Sequence, residues 1–180
     1  MGTPFRIAFV PGVTPGKWVR TWKERRLGPL EVFLVDERAQ RSVLEDESAD
    51  MCFVRLPVDR DGLHVIPLYA EKAVVVVPTE HPATLFETVT STDLADEVQL
   101  SLSDELSAKQ AIETVAAGTG VVVLPMSVAR LHHRRDVAFV VVADLPETQV
   151  GLAWPSDRDD DRFETFIGVV RGRTARSSRG

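Results

Sequence analysis

Cysteine is nearly missing from this 180-residue chain, where Cys52 stands alone. A single cysteine cannot build an internal disulfide framework, so a reducing, cytoplasmic setting is the expectation. Cys52 lies mid-strand between Met51 and Phe53 with no neighbouring His or charge, which marks it as inert core. Long apolar runs are missing too. The longest, Ala73 to Val77, falls far short of the roughly 20 residues that span a bilayer, so no membrane partner is expected. No basic stretch with a following apolar one precedes the first strand pattern, so no signal peptide is expected. Metal-ligand spacing is absent. His132 and His133 are adjacent and followed by Arg134 and Arg135, while His64 and His81 have no His or Cys at ligand spacing; no metal and no cofactor are expected.

Catalytic signatures are missing as well. There is no Gly-x-Ser-x-Gly, no nucleophile with a recognisable base and no paired carboxylates in an apolar setting, so an enzyme is not expected. Gly12 to Gly16-Lys17 approximates a phosphate loop, but it is one residue short and Trp18 stands where a Ser or Thr should hold magnesium. Gly118-Thr119-Gly120 follows a helix pattern and precedes a strand, the reverse of the dinucleotide-binding order.

What remains is an ordinary globular balance, 44% hydrophobic and 27% charged, long enough for one domain or two small lobes. Net charge is −6, and the last ten residues hold Arg171, Arg173, Arg176, Arg179 and no acid, so residues 1–170 carry −10. An acidic body should not attract nucleic acid; only the Arg171–Arg179 tail could touch phosphates, and a solvated, disordered end is the simpler reading. Periodicity predicts strands over 5–10, 30–35 and 51–54, with helices over 17–26 and 37–47 between them. The β-α-β-α-β order implies a parallel sheet with helical crossovers. Further strands are predicted over 63–69, 72–78, 98–102, 120–124, 137–143 and 149–154. Helices are predicted over 104–117, 126–131 and 160–170, with a short one near Thr90 and Asp93.

Three stretches carry a resemblance. The first runs from Ala49-Asp50-Met51-Cys52-Phe53-Val54-Arg55 through Gly62-Leu63 to Pro67-Leu68-Tyr69, and on to Val74-Val75-Val76-Val77-Pro78-Thr79-Glu80-His81-Pro82. The second is Thr92-Asp93-Leu94-Ala95-Asp96, and the third is Ala117 to Pro125 with its Gly118-x-Gly120, valine run and Leu124-Pro125. In this order they resemble the effector-binding domain of LysR-type transcriptional regulators, over most of residues 4–170. The resemblance implies an α/β, periplasmic-binding-protein-like fold of two small lobes with mostly parallel sheets. Lobe I would cover about 4–78 and 144–170, and lobe II about 79–143. Only about twenty residues separate Asp96 from Gly118, so the second lobe is expected to be truncated. Met1 stands three residues before the domain start, so a DNA-reading domain is not expected.

The expected function is binding or sensing of a small molecule, an organic anion, between the lobes. The alternative is a ligand-free interaction module that forms homodimers or pairs with a full-length LysR-type regulator as a heterodimer. Candidate ligand residues are Thr14 and Gly16, in a strand-to-helix turn where free N–H groups and the helix dipole favour an anion. The alternative for Thr14 is a plain helix cap. Arg55 follows the third strand, where open α/β sheets bind ligands; otherwise it would pair with Asp59 or Asp61. Ser101 and Ser103 are candidate donors from the second lobe. Pro78, Thr79 and Asp144 are expected at the hinge crossings.

Overall fold

The computed structural model describes residues 2–172. In chain order the elements begin β1 (Phe5–Phe9), α1 (Gly16–Glu24), β2 (Leu30–Leu34), α2 (Ser42–Glu45), β3 (Met51–Arg55), β4 (Leu63–Glu71), β5 (Ala73–Pro78), β6 (Thr88–Val89) and β7 (Gln99–Leu100). They continue α3 (Ala108–Ala116), β8 (Val121–Pro125), α4 (Met126–Leu131), β9 (Val137–Val142), β10 (Thr148–Pro155) and α5 (Asp161–Val170), with 3-10 turns at Glu37–Ala39, Pro82–Leu85 and Thr92–Leu94. Two compact units emerge. One holds the chain up to Tyr69 and from Gln149 onward, the other Ala70–Thr148.

The first unit is built on the sheet β2-β1-β3-β10-β4. Strand alternation sends successive side chains to opposite faces. Phe5 and Ile7 of β1 and Met51 and Phe53 of β3 join Trp18, Trp22, Phe163 and Phe166 on one face. Ala8, Cys52 and Val54 join Val43 and Leu44 on the other. The first face is largely aromatic: Phe5 stacks on Trp22 with centroids 5.4 Å apart, and Trp18 on Phe53 at 4.7 Å. Burying each such ring stabilises the fold by about 1.5–3 kcal/mol. These contacts fix α1 and α5 against the sheet.

The predicted helix over 37–47 is broken in two. Asp36 caps a 3-10 turn by accepting from Arg38 N–H, and the Gln40 side chain leaves the segment to bond the backbone of Arg55. Glu47, at φ 62°, then turns the chain into the left-handed region and ends α2. Asp50 follows with only 3% of its side chain exposed. It accepts from the Arg6 N–H at 2.8 Å and from the Arg6 and Arg158 guanidinium groups at 3.2 and 2.8 Å. Burial disfavours its charge, but the Arg158 and Arg6 donors outweigh that and hold its carboxyl below the usual range.

The second unit is built on the sheet β6-β9-β5-β8-β7. Val74, Val76, Val122 and Leu124 face Ile112 and Val115 of α3 and Val128 of α4. Val75, Val77, Val140 and Val142 face Ala83, Val89 and Leu94. The run of valines in β5 is therefore buried on both faces, which explains its lack of alternation. Helix α3 starts at Ala108 rather than Asp104, because Ser107 and Gln110 form a reciprocal capping box there. Between Asp96 and Gly118 the chain forms only the two-residue β7 and α3.

Both sheets are mixed rather than mostly parallel. β1 pairs in parallel with β2 and β3, and β6 and β7 pair in parallel with β9 and β8. By contrast β10 runs antiparallel to β3, and β5 runs antiparallel to both β8 and β9. The expected boundaries also shift. β5 was expected in lobe I, but its pairing on both sides makes it the central strand of the second unit. The chain passes between units at Tyr69–Ala70 and Thr148–Gln149 instead. The basic tail lies outside the described residues from residue 173 on.

Candidate functional site

The first unit gathers its candidate donors where β1 hands over to α1. Val10 N–H reaches the Phe53 carbonyl and Val13 N–H turns back to Val10, so the loop folds tightly over the end of β3. Gly12, at φ 93°, takes the left-handed conformation that the turn requires. Val13 is buried and anchors the loop, while Thr14 and Gly16 are exposed. The N-cap of α1 is Pro15, which supplies no side-chain acceptor, and its first turn contains no acid. Trp18 N–H and Val19 N–H both take the Pro15 carbonyl. The helix thus presents N–H groups and the positive end of its dipole at the surface. Thr14 does not cap it, so the cap reading of Thr14 is set aside. Lys17 adds a positive charge there, with Nζ 4.8 Å from the centre of the Trp18 ring.

Arg55 sits beneath this loop. Its side chain is 4% exposed, and Nη1 donates to the Pro11 carbonyl at 3.0 Å and to Glu37 at 3.3 Å. Its backbone is bracketed by Gln40, whose Oε1 accepts from Arg55 N–H at 2.8 Å and whose Nε2 donates to the Arg55 carbonyl at 3.0 Å. Asp59 and Asp61, the partners considered from the sequence, offer their backbone carbonyls to Arg41. Thr14, Gly16 and Arg55 therefore belong to one loop region of one unit. Glu37 and Gln40, which complete it, were not singled out in the sequence. A buried glutamine in a polar, interrupted helix pattern gives little signal.

The other candidates fall in the second unit. Ser101 is exposed, and Ser103 is engaged locally, its Oγ accepting from Glu105 N–H at 3.2 Å. Pro78 ends β5 opposite Val137, and Thr79 N–H bonds the Asp136 carbonyl. Asp144 accepts from the N–H and hydroxyl of Ser91 at 2.8 and 3.0 Å. All three expected hinge residues are thus interior to the second unit, a correction that follows from the place of β5 in its sheet.

Each unit also carries a hollow of its own. One, of about 340 Å³, is lined by Arg41, Glu45, Glu47, Asp61, Asp157 and Arg158 among others. The second, of about 310 Å³, is lined by His81, Phe86, Asp93, Leu94 and Glu97 among others and contains no lysine or arginine. Among the described residues no cluster of His, Cys, Asp and Glu could hold a metal ion. Nor is any helix among them long and apolar enough to cross a membrane.

Residues 6–114 match the model of the LysR substrate binding domain. The chain belongs to this family. The fold agrees: it matches the BenM effector binding domain with its effector benzoate at a TM-score of 0.78, with 19% identity, covering 94% of this chain and 90% of that one. It matches the reduced form of the OxyR regulatory domain from Pseudomonas aeruginosa at 0.74, with 22% identity and 93% and 94% coverage. In sequence it is 26% identical to a probable hydrogen peroxide-inducible genes activator of Mycobacterium avium, over 92% of this chain. The chain spans 63% of the length of that relative. LysR effector-binding domains bind small-molecule effectors, belong to oligomeric transcription regulators and are not an enzyme family.

Proposed function

We propose that this LysR effector-binding domain senses a small organic anion whose carboxylate docks at the N-terminus of α1. The observation that carries this reading is the uncapped, acid-free first turn of α1 beside the Thr14 hydroxyl. The backbone N–H groups of Gly16 and Lys17 would donate to the carboxylate, and Thr14 would add a third donor. Arg55 holds the loop through the Pro11 carbonyl and contributes positive charge beneath it. The two hollows suit an anion less well, because carboxylates outnumber cations in both linings. Pro78, Thr79 and Asp144 would support the second unit's frame.

The relatives are named for hydrogen peroxide, but thiol chemistry has no foothold in this chain. Cys52 is its single cysteine, it is fully buried, and burial pushes its thiol up to about 12. Peroxide reacts with accessible thiolates, so a reversibly bound effector is the better reading. Ligand sensing is also favoured over a ligand-free pairing module. Trp18 and Trp22 turn inward and leave Thr14, Gly16 and Lys17 uncovered at the surface. The test is a thermal-shift screen of aromatic and aliphatic carboxylates, starting from benzoate, the effector of BenM. A ligand at about 100 times its Kd should add about 2.7 kcal/mol. Thr14→Val, binding about tenfold more weakly, should cut the added stability to about 1.4 kcal/mol; a screen without hits on folded protein would sink the proposal.

A further inference from the structure

From Ala73 to Ala108 the sequence holds seven acidic residues and no lysine or arginine. Within this run Leu85 is 83% exposed, Phe86 63% and Val98 66%. Phe86 lines the 310 Å³ hollow together with Asp93 and Glu97. The Ala83 N–H donates to His81 Nδ1, so the ring proton sits on Nε2 and points to Glu97 Oε1 at 2.5 Å. Asp93 is tied through Oδ2 to Thr90. Each carboxylate is thereby held in place and keeps a second oxygen for an incoming donor.

We propose that this face of the second unit is a docking surface for a cationic amphipathic segment of a partner protein. One bulky apolar side chain of that segment would seat against Phe86, with flanking Arg or Lys on Asp93 and Glu97. Charge complementarity decides the occupant. Nucleic acid and anionic lipid are repelled by a hollow lined by Asp93 and Glu97 with no lysine or arginine, whereas an Arg-bearing helix meets it. The exposed apolar side chains argue for a peptide, because Leu85 and Val98 lie outside the lining of the hollow and a ligand filling it leaves them uncovered. Helical segments bind apolar grooves in this way, with charged flanks fixing orientation. This inference stands apart from the effector reading, since it uses neither Thr14 nor α1.

The experiment is fluorescence anisotropy of a panel of labelled amphipathic Leu/Arg and Leu/Lys helical peptides, with Leu/Glu counterparts, titrated with the full chain. At least one cationic peptide should bind and the acidic set should not. The double variant Leu85→Ser, Phe86→Ser should weaken binding by about tenfold or more, as expected for an apolar anchor. Both residues are exposed, so circular dichroism should stay unchanged. Glu97→Gln should weaken binding about three- to tenfold. The proposal is overturned if no cationic peptide binds, or if the double variant binds as tightly as the parent, which would reduce the effect to diffuse charge. It is equally overturned if sedimentation shows that the chain self-associates through Phe86, or if peptides bind only after residues 173–180 are removed. Those results would make a second copy or the chain's own tail the occupant.

Discussion

Replacing Asp50 by Asn removes one charge from the centre of a buried network and leaves its shape intact. Asp50 accepts two bonds of 2.8 Å, from Arg6 N–H and Arg158 Nη2, and longer ones from the Arg6 guanidinium. Asn keeps one carbonyl oxygen, able to satisfy Arg6 N–H, but turns an N–H₂ donor toward the guanidinium groups. Truncating one partner of a fully buried pair costs about 3–5 kcal/mol. Arg6 and Arg158 are 30% and 26% exposed and can recover some hydration, so a loss of about 2–3 kcal/mol is expected. The assay is urea unfolding followed by tryptophan fluorescence at pH 7. Trp18, Trp22 and Trp154 all lie in the first unit, so the signal reports the unit that contains Asp50. The sign of the pH dependence follows from the depressed carboxyl of folded Asp50. Its contribution is present above the unfolded value of about 3.9 and is lost as pH falls through the folded value. The gap between parent and variant should therefore be flat from pH 7 to about 5 and narrow below about 4. A gap under about 0.5 kcal/mol at pH 7, or one unchanged at pH 3, would refute the reasoning.

Other expectations concern the core of each unit. The Cys52 thiol should resist a disulfide reagent at pH 8 in the native state and react at once in 6–8 M urea (roughly the range in which domains of this size unfold); fast native reaction would contradict its burial. A Cβ on Gly120 would lie 2.6 Å from the Val98 carbonyl at φ +104°, so Gly120→Ala should destabilise the second unit by about 1–3 kcal/mol, read by amide exchange in β8. Ser107→Ala should cost α3 about 1 kcal/mol, seen as faster exchange of its first-turn amides.

Elements with strong local signals were legible in the sequence. Trp18 and Trp22 stand four apart, the spacing of one helix face, and both pack inward from α1, as Phe163, Phe166 and Ile167 do from α5. Asp36 stands immediately before the 37–47 helix pattern, a capping residue by type, and it caps the 3-10 turn there. Elements set by long-range contacts were not. The 37–47 segment has a helical pattern, but the pull of Gln40 toward Arg55 outweighs it. The two-residue β6 exists only because it pairs with β9, and no local pattern announces it. The unit boundary was misplaced for a related reason: a fully buried valine strand does not say which sheet it centres. For the candidate site, the turn chemistry of Thr14 to Lys17 was visible. The Pro11–Arg55–Glu37 support was not, because it joins residues 44 and 18 positions apart.

The central claim concerns two backbone amides, and it can be tested at those amides. We would titrate a carboxylate hit from the screen into ¹⁵N-labelled protein and follow amide shifts. Carboxylate docking at α1 predicts that Gly16 and Lys17 N–H move downfield with saturation, and that Thr14→Val weakens the titration about tenfold (1.4 kcal/mol for one lost hydrogen bond). Saturable shifts centred elsewhere, with Gly16 and Lys17 unmoved, would contradict it.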